Sequence, residues 1–305
     1  MLSKPGSVCG RFAPSPTGPL HFGSLVAALG SFLEARCQGG QWRVRIEDID
    51  APRTVPGAAE VILRTLERCQ LLWDSTVWYQ SQRLEHYQAA LEQLSRTGRV
   101  YPCTCTRREL AGCPRGRDGS TLYPGYCRQG PRQPGRPYAI RLRVTDTRWT
   151  FQDAVQGAYH QRLESEAGDF VIRRADGLFT YQLAVVVDDA DQCVTEVVRG
   201  SDLLDSTPRH LYLQELLGLP APRYGHMPIV VDECGNKLSK QTHAPPLDDG
   251  KPGPALWEAL RFLGQQPPPD LVRALPATIL AWARAHWRLE RIPAVPARPW
   301  KPSLG

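Results

Sequence analysis

Hydrophobic and polar residues near the start of the chain follow a pattern that predicts a strand, a turn, a helix and a second strand. The apolar segment 8–12 precedes a cluster of Pro and Gly residues at 14–19, and residues 24–29 form an apolar run expected of a helix. Residues 42–47 alternate polar and apolar side chains, which predicts a strand. Strands separated by helices indicate an α/β fold with a doubly wound parallel sheet.

Helical periodicity continues over 56–72 and 81–96, and the pattern then changes. From Gly98 to about Gly168, short strands such as 139–144 are separated by loops rich in Gly and Pro, which we interpret as an insertion into the sheet. The elements expected after the insertion are strands at 170–172, 181–187, 194–198 and 227–231, and helices at 208–217, 255–263 and 271–287. The tail beyond Arg291 is rich in Pro and is expected to have little regular structure.

These patterns divide the chain into four predicted segments. Residues 1–97 and 169–225 form the two halves of the α/β domain, 98–168 form the insertion, and 226–305 form a helical region with a Lys-bearing loop. The adjacent Asp188 and Asp189 are expected at a turn between two strands, and no role is assigned to them.

A phosphate site is expected where the first strand passes through its turn into the first helix. The first N–H groups of a helix are unpaired and the helix dipole is positive there, and Gly18 and Gly23 allow close approach to the backbone. A second candidate is the loop 235–241, in which Lys237 and Lys240 lie three residues apart. Taken alone, such a loop is more often an ordinary basic surface turn.

Charge and length restrict the classes of function. The net charge is +6, and the segment 107–136 holds seven arginines against only Glu109 and Asp118, which favours a polyanionic partner such as nucleic acid. A second basic cluster follows residue 260. No apolar run approaches the roughly 20 residues that span a bilayer, and Pro5 and Gly6 interrupt any signal-peptide core, so we expect a cytoplasmic protein without a membrane partner.

Four of the nine cysteines fall within 25 residues, and the other five are scattered singly. Cys103 and Cys105 form a Cys-X-Cys turn, and Cys127 follows beyond a long loop, so that the three could supply thiolates to a tetrahedral zinc ion. Cys113 lies in the same loop and is a possible fourth ligand. Reduced free thiols are the alternative.

The stretch RFAPSPTGPLHFGS at 11–24 resembles the first signature of class I aminoacyl-tRNA synthetases in their glutamyl and glutaminyl form, and the loop GNKLSKQ at 235–241 is similar to their KMSKS loop. Ser24 stands where many such enzymes have a second His, and Leu238 and Gln241 replace a Met and a Ser. The resemblance implies a class I Rossmann-type domain with a zinc-bearing insertion and a short helical region that contacts RNA. It also implies that glutamate and ATP, with magnesium, form glutamyl-adenylate.

The resemblance also implies roles for individual residues. His21, Gly23 and Lys240 are assigned to ATP, with His21 as a hydrogen-bond donor to phosphate, and Lys237 is assigned with Lys240 to stabilising the charge that builds on the phosphates. The residues implied for glutamate are Arg11, Ala13, Ser15, Glu47, Tyr181 and Arg199, with Glu47 on the α-ammonium group. A carboxylate suits an ammonium group, and Arg suits a carboxylate.

The resemblance leaves the fourth zinc ligand and the acceptor to be decided. Truncated relatives that modify queuosine use a Tyr four residues before the last Cys, which is Tyr123 here. Cys113 is the alternative, because it is a softer ligand that lies in the same loop. Because only 64 residues follow Gln241, we expect transfer of glutamate to queuosine in the anticodon of tRNA-Asp. A monomer is also expected. The alternatives are an ordinary glutamyl-tRNA synthetase and a catalytically inactive RNA-binding paralogue.

Overall fold

A five-stranded parallel sheet forms the centre of the molecule, as the alternation of strands and helices predicted. The computed structural model describes residues 7–238, 247 and 250–301. The strands of this sheet are β1 (Cys9–Phe12), β2 (Gln41–Ile46), β3 (Trp78–Tyr79), β9 (Glu196–Gly200) and β10 (Arg223–Met227). Their order is β10-β9-β1-β2-β3, and each neighbouring pair is parallel. The order reverses direction between β1 and β9, which is the switch point where doubly wound sheets bind ligands.

The first helix occupies the middle of the core because it is apolar on most of its surface. This helix, α1 (Phe22–Cys37), packs against β1 and β9 and also against the C-terminal helix α7 (Pro252–Phe262). Gly30 allows the close contact with β10, because a Cβ atom there would lie 2.3 Å from the Sδ atom of Met227. The other long helices of this part of the chain are α2 (Ala58–Arg68), α3 (Leu84–Arg96), α5 (Tyr181–Asp191) and α6 (Thr207–Leu217).

The predicted insertion consists of antiparallel strands. A three-stranded sheet has the order β4 (Val100–Cys103), β5 (Ala139–Leu142) and β8 (Phe170–Arg173), and a hairpin is formed by β6 (Arg148–Asp153) and β7 (Gly157–Arg162). The short helix α4 (Leu163–Glu166) follows the hairpin. The antiparallel sheet therefore extends past residue 168, where the sequence led us to expect the parallel sheet to resume. The division into domains remains a prediction.

The strand predicted at 181–187 is wrong, because this segment is the first part of helix α5. Leu183, Ala184 and the three valines that follow are all buried, so the segment shows no amphipathic period. A short continuous apolar run of this kind cannot be distinguished from a buried strand by its pattern. Asp188 and Asp189 consequently lie on a buried helix and not at a turn.

The C-terminal region differs from prediction in two places. The helix expected over 271–287 is divided at Pro276 into a 3-10 turn (Pro269–Arg273) and α8 (Pro276–His286), since a proline starts a helix more readily than it continues one. The tail beyond Arg291 contains β12 (Ala297–Pro299), which pairs in parallel with β11 (Ile229–Val231). Trp300 stacks on Phe22 at a ring separation of 3.9 Å, so the tail packs against the start of α1.

Short 3-10 helices complete the chain. They are Ala51–Arg53, Gln80–Gln82, Ser201–Ser206 and Leu289–Arg291. Within the described residues, no helix has the length and apolar character needed to cross a membrane.

Candidate active site

A cleft of about 1000 Å³ opens at the carboxyl ends of β1, β2, β9 and β10. Its position is the one expected of a ligand site in a doubly wound sheet. The predicted residues that line it are Ala13, Ser15, His21, Gly23, Glu47, Tyr181 and Lys237. Arg11 and Arg199 are buried behind this wall, with 4% and 5% of their surface exposed.

His21 begins helix α1 and faces the cleft. It has extended backbone angles, and its Nδ1 atom accepts the backbone N–H of Ser24 at 3.3 Å, so the imidazole itself caps the helix. Because Nδ1 accepts, the neutral ring carries its proton on Nε2. Gly23 leaves room for the ring, since a Cβ atom at this position would lie 3.1 Å from the Cε1 atom of His21.

Backbone hydrogen bonds hold the turn between β1 and α1 against neighbouring elements. The carbonyl oxygen of Pro14 accepts the N–H of Glu47, and that of Pro16 accepts the N–H of Val55. Gly18 has φ +138, a region that residues with a Cβ atom rarely enter. The turn therefore places Ala13 and Ser15 in the cleft wall beside the end of β2.

Arg11 is held by an acidic residue to which the sequence analysis assigned no role. Its Nε atom donates to both carboxylate oxygens of Asp189, at 3.3 and 3.4 Å, and Asp189 also accepts from Nη2 of Arg45 at 2.8 Å. Burial opposes ionisation, but Arg11 and Arg45 hold the pKa of Asp189 below its usual range. Among the described residues, the Nη groups of Arg11 make no hydrogen bond. They are the groups that could bind a carboxylate.

Asp188 completes this buried charge network. Its carboxylate accepts hydrogen bonds from Nε of Arg83 at 2.5 Å, Nε2 of Gln80 at 2.7 Å and the hydroxyl of Tyr87 at 2.8 Å. A signal for both aspartates was present in the sequence, because arginines in two adjacent buried strands, at 11 and 45, require buried carboxylates.

Glu47 lies at the end of β2, where its carboxylate has lost most of its hydration. Its Oε1 atom is 3.4 Å from Nη2 of Arg45, and burial raises the pKa of Glu47 to about 7 in spite of Arg45 and Arg11. A carboxylate that is costly to ionise alone gains from an incoming cation. The arrangement therefore suits an ammonium group.

Tyr181 is the first residue of helix α5, and its hydroxyl accepts a hydrogen bond from Nη1 of Arg199 at 3.0 Å. Arg199 directs its other donors at protein atoms, with Nε on His226 at 3.0 Å and Nη2 on Thr207 at 2.9 Å. Tyr181 thus contacts the cleft directly, and Arg199 reaches it through Tyr181. His226 was not singled out in the sequence.

The Lys-bearing loop is described only up to residue 238. Val231 and Lys237 face each other across a tight turn, and the ammonium group of Lys237 lies 2.7 Å from a carboxylate oxygen of Asp202 at the cleft. The prediction for Lys240 falls outside the described residues.

The three cysteines predicted to bind metal do come together. The sulfur atoms of Cys103, Cys105 and Cys127 all lie within 4.8 Å of one another, and those of Cys105 and Cys127 are 3.6 Å apart. Two thiolates on one tetrahedral zinc ion are separated by about 3.8 Å, since each Zn–S bond is about 2.3 Å. The spacing of the sulfur atoms therefore fits zinc.

Tyr123 lies against the same group. Its hydroxyl oxygen is 3.4 Å from Sγ of Cys103 and 3.5 Å from Sγ of Cys105, and it accepts the N–H of Cys127 at 2.8 Å. Within the part of the chain that the structure describes, Cys113 does not belong to the group of cysteines that could hold a metal ion. The geometry supports Tyr123 over Cys113 as a fourth ligand.

Comparison with known proteins agrees with a class I synthetase fold. Residues 7–267 match the family model described as tRNA synthetases class I (E and Q), catalytic domain. The chain belongs to this family, and it is accordingly a ligase of the class I aminoacyl-tRNA synthetase type.

Relatives of high sequence identity share one name within this family. The chain is 53% identical over 292 residues to the Glutamyl-Q tRNA(Asp) synthetase of Thiobacillus denitrificans, covering 96% of this chain and 97% of that protein. It is 56% identical over 285 residues to the protein of the same name from Aromatoleum aromaticum, covering 93% and 90%. The crystal structure of glutamate-tRNA synthetase from Elizabethkingia anophelis superposes with a TM-score of 0.78 at 24% identity, covering 97% of this chain and 68% of that one, which supports the fold.

Proposed function

We propose that this protein activates glutamate with ATP and transfers it to queuosine in the anticodon of tRNA-Asp. The observation that carries the proposal is that relatives named Glutamyl-Q tRNA(Asp) synthetase share 53% to 56% identity with the chain across nearly their whole length. The cleft at the switch point contains the groups that such a reaction requires. We place the enzyme in the cytoplasm because its tRNA substrate is there, and we retain the monomer as a prediction.

Glutamate would bind with its ammonium group on Glu47 and its side-chain carboxylate toward Arg11 and Tyr181. The Nη groups of Arg11 make no hydrogen bond within the described chain, and Tyr181 lines the cleft. A glutamine side chain would leave the buried Arg11 guanidinium opposite a neutral amide, so this pocket discriminates by charge. Ala13 and Ser15 form the adjoining wall.

ATP would place its phosphates at the N-terminus of α1. The Nε2–H group of His21 is a donor suited to phosphate, and Gly23 keeps the helix N-terminus accessible. Lys237, and by resemblance Lys240, supply positive charge. Magnesium would be held chiefly by the phosphates, since the cysteine group is the metal-binding group that the described residues assemble. When bound, it neutralises phosphate charge.

The reaction consists of two transfers. A substrate carboxylate oxygen attacks the α-phosphorus of ATP, pyrophosphate leaves, and the mixed anhydride glutamyl-adenylate forms. The carboxylate needs no general base, since it is ionised at neutral pH. A hydroxyl of the queuosine cyclopentene diol then attacks the carbonyl carbon and an ester forms. AMP leaves with the electron pair of the broken C–O bond, and its phosphate takes the hydroxyl proton.

Zinc would bind to Cys103, Cys105, Tyr123 and Cys127 and have a structural role. Four protein ligands leave no open position for a substrate. Burial opposes ionisation of Cys127, but hydrogen bonds from Tyr123 and from backbone amides lower the pKa of its thiol to about 6, which favours the thiolate form that binds metal.

The insertion would provide contacts to the RNA backbone. Arg107, Arg108, Arg132 and Arg136 are exposed, and within the described chain none of them forms a salt bridge. Arg128 differs, because it pairs with Asp169 and Glu164 and so maintains the insertion itself. The four arginines without a salt bridge are the candidates for phosphate binding, and the affinity for tRNA should fall as the salt concentration is raised.

The experiment that tests this function has two parts. Glutamate-dependent exchange of pyrophosphate into ATP should occur, and Lys240→Ala should reduce its rate far more than it weakens ATP binding. Labelled glutamate should then be transferred to tRNA-Asp that contains queuosine, and neither to tRNA-Asp from cells unable to make queuosine nor to tRNA-Glu. Equal charging of tRNA-Asp without queuosine would refute the acceptor, and charging of tRNA-Glu would indicate an ordinary glutamyl enzyme. If no amino acid supports pyrophosphate exchange, the protein is an inactive paralogue.

A further inference from the structure

A buried chain of hydrogen bonds links the hairpin of the insertion to the wall of the cleft. His226 on β10 is fully buried, and its Nδ1 atom lies 2.6 Å from Oδ2 of Asp153 at the end of β6. Its Nε2 atom lies 3.0 Å from Nε of Arg199, whose Nη1 atom donates to the hydroxyl of Tyr181 at 3.0 Å. Of these four residues, only Tyr181 lines the cleft.

The partners of His226 determine where its proton lies. An ionised Asp153 only accepts hydrogen bonds and Arg199 only donates them, so the ring must carry its proton on Nδ1 and accept at Nε2. Burial lowers the pKa of His226 to about 4, against the favourable effect of its hydrogen bond to Asp153, so the ring is neutral at physiological pH. The opposite tautomer would set two donors against each other at Arg199 and two acceptors against each other at Asp153.

This tautomer fixes the plane of the Arg199 guanidinium and, through it, the role of the Tyr181 hydroxyl. Nε is directed at His226 and Nη2 at Thr207, which leaves Nη1 directed at Tyr181. Because the hydroxyl oxygen accepts this hydrogen bond, its proton must be donated elsewhere. Among the described residues no acceptor for that proton is found, and Tyr181 lines the cleft.

We propose that Asp153 and His226 are positioning residues that, through Arg199, make Tyr181 a hydrogen-bond donor to the carboxylate of the amino-acid substrate. The inference rests on the proposed function, since it names what prepares the glutamate pocket. It also gives the insertion a part in amino-acid recognition, because Asp153 belongs to the β6–β7 hairpin.

Asp153→Asn is the substitution that tests this chain of contacts. Oδ1 of Asp153 accepts the backbone N–H groups of Val155, Gln156 and His226, and an asparagine oxygen in the same place would keep all three. The amide NH₂ would then occupy the Oδ2 position and donate to Nδ1 of His226. The proton of the ring would move to Nε2, where it would oppose the N–H of Arg199.

Two measurements report on different steps. In ¹⁵N spectra of histidine-labelled protein, His226 should have its proton on Nδ1 in the wild type and on Nε2 in Asp153→Asn. In pyrophosphate exchange, KM for glutamate should rise about 10- to 100-fold, as expected when a charge-assisted contact is lost, while KM for ATP is unchanged. Asp169→Asn is the control for general damage to the fold: Asp169 is equally buried and also accepts a backbone N–H, from Val144, but its side-chain partners Arg128 and Tyr101 lie outside this chain of contacts.

A double-mutant cycle separates positioning from general destabilisation. Tyr181→Phe removes the hydroxyl alone, and in that background Asp153→Asn should raise KM for glutamate no further. Three results would overturn the inference: a wild-type His226 protonated on Nε2, a normal KM for glutamate in Asp153→Asn after the tautomer has changed, or additive effects in the cycle. The first needs no variant to fold. If the wild-type protein fails to exchange pyrophosphate with any amino acid, the proposed function is refuted, and this inference with it.

Discussion

The glutamate affinity of this protein should depend steeply on pH near neutrality, because Glu47 titrates there. Its pKa is raised to about 7 by burial, and only its ionised form attracts an ammonium group. Between pH 8 and pH 6, the ionised fraction of such a carboxyl falls from roughly 0.9 to roughly 0.1, so kcat/KM for glutamate should fall about tenfold. Glu47→Gln should lower kcat/KM at pH 8 by about 10- to 100-fold, because a hydrogen bond to a charged group is lost.

The assay is pyrophosphate exchange at saturating ATP, in which the ratio of wild-type to Glu47→Gln activity is followed from pH 6 to pH 8. The ratio cancels the titration of ATP itself. Three nearby buried groups titrate outside this range, since burial holds the pKa of His226 near 4 and that of His210 well below its usual value, and the arginines hold that of Asp189 low. A ratio that does not change with pH would refute the assignment of Glu47 to the ammonium group.

The melting temperature provides a control, because Glu47→Gln should raise it while lowering the activity. Because the folded-state pKa of Glu47 lies above its usual 4.5, the stability that the protonated group contributes is present below about 4.5 and is lost as pH rises through about 7. Glu47→Gln should therefore raise the melting temperature at pH 8 and have less effect at pH 5. A variant that melts earlier at pH 8 would show that its lost activity reflects damage to the fold.

Three further predictions test the remaining groups of the two sites. Arg11→Ala should cost glutamate activation about 2 to 5 kcal/mol, since it leaves the buried substrate carboxylate without its charged partner, and an unchanged preference for glutamate over glutamine would exclude Arg11 from the pocket. Gly23→Ala should raise KM for ATP, because the new methyl group crowds the His21 ring at 3.1 Å, and a normal KM would show that the ring position is unimportant. Metal analysis should find about one zinc per wild-type chain, none in Cys127→Ser and a full amount in Cys113→Ser, and loss of zinc in Cys113→Ser together with a full amount in Tyr123→Phe would transfer the fourth ligand to Cys113.

Features that depend on neighbours along the chain could be predicted from the sequence. The turn cluster before α1, the alternation in β2 and the grouping of three cysteines each have a local cause, such as the φ that a glycine allows or the spacing of side chains on a strand. The residues lining the cleft at the ends of β1 and β2 follow from these local causes and from the rule that parallel strands bind ligands at their carboxyl ends.

Features that depend on burial from several sides could not be predicted. Helix α5 is surrounded by neighbouring elements and needs no polar face toward solvent. Its sequence therefore lacks the amphipathic period of a helix, and an apolar run without that period predicts a strand. The β12 strand exists only because β11 offers it a partner. The contacts of Arg11 with Asp189 and of Arg199 with His226 join residues that are 178 and 27 positions apart. The sequence by itself thus determined which groups reach the cleft along the first two strands, and the tertiary structure decided which buried charges hold them, because a buried ion must be paired and its partner can come from any part of the chain.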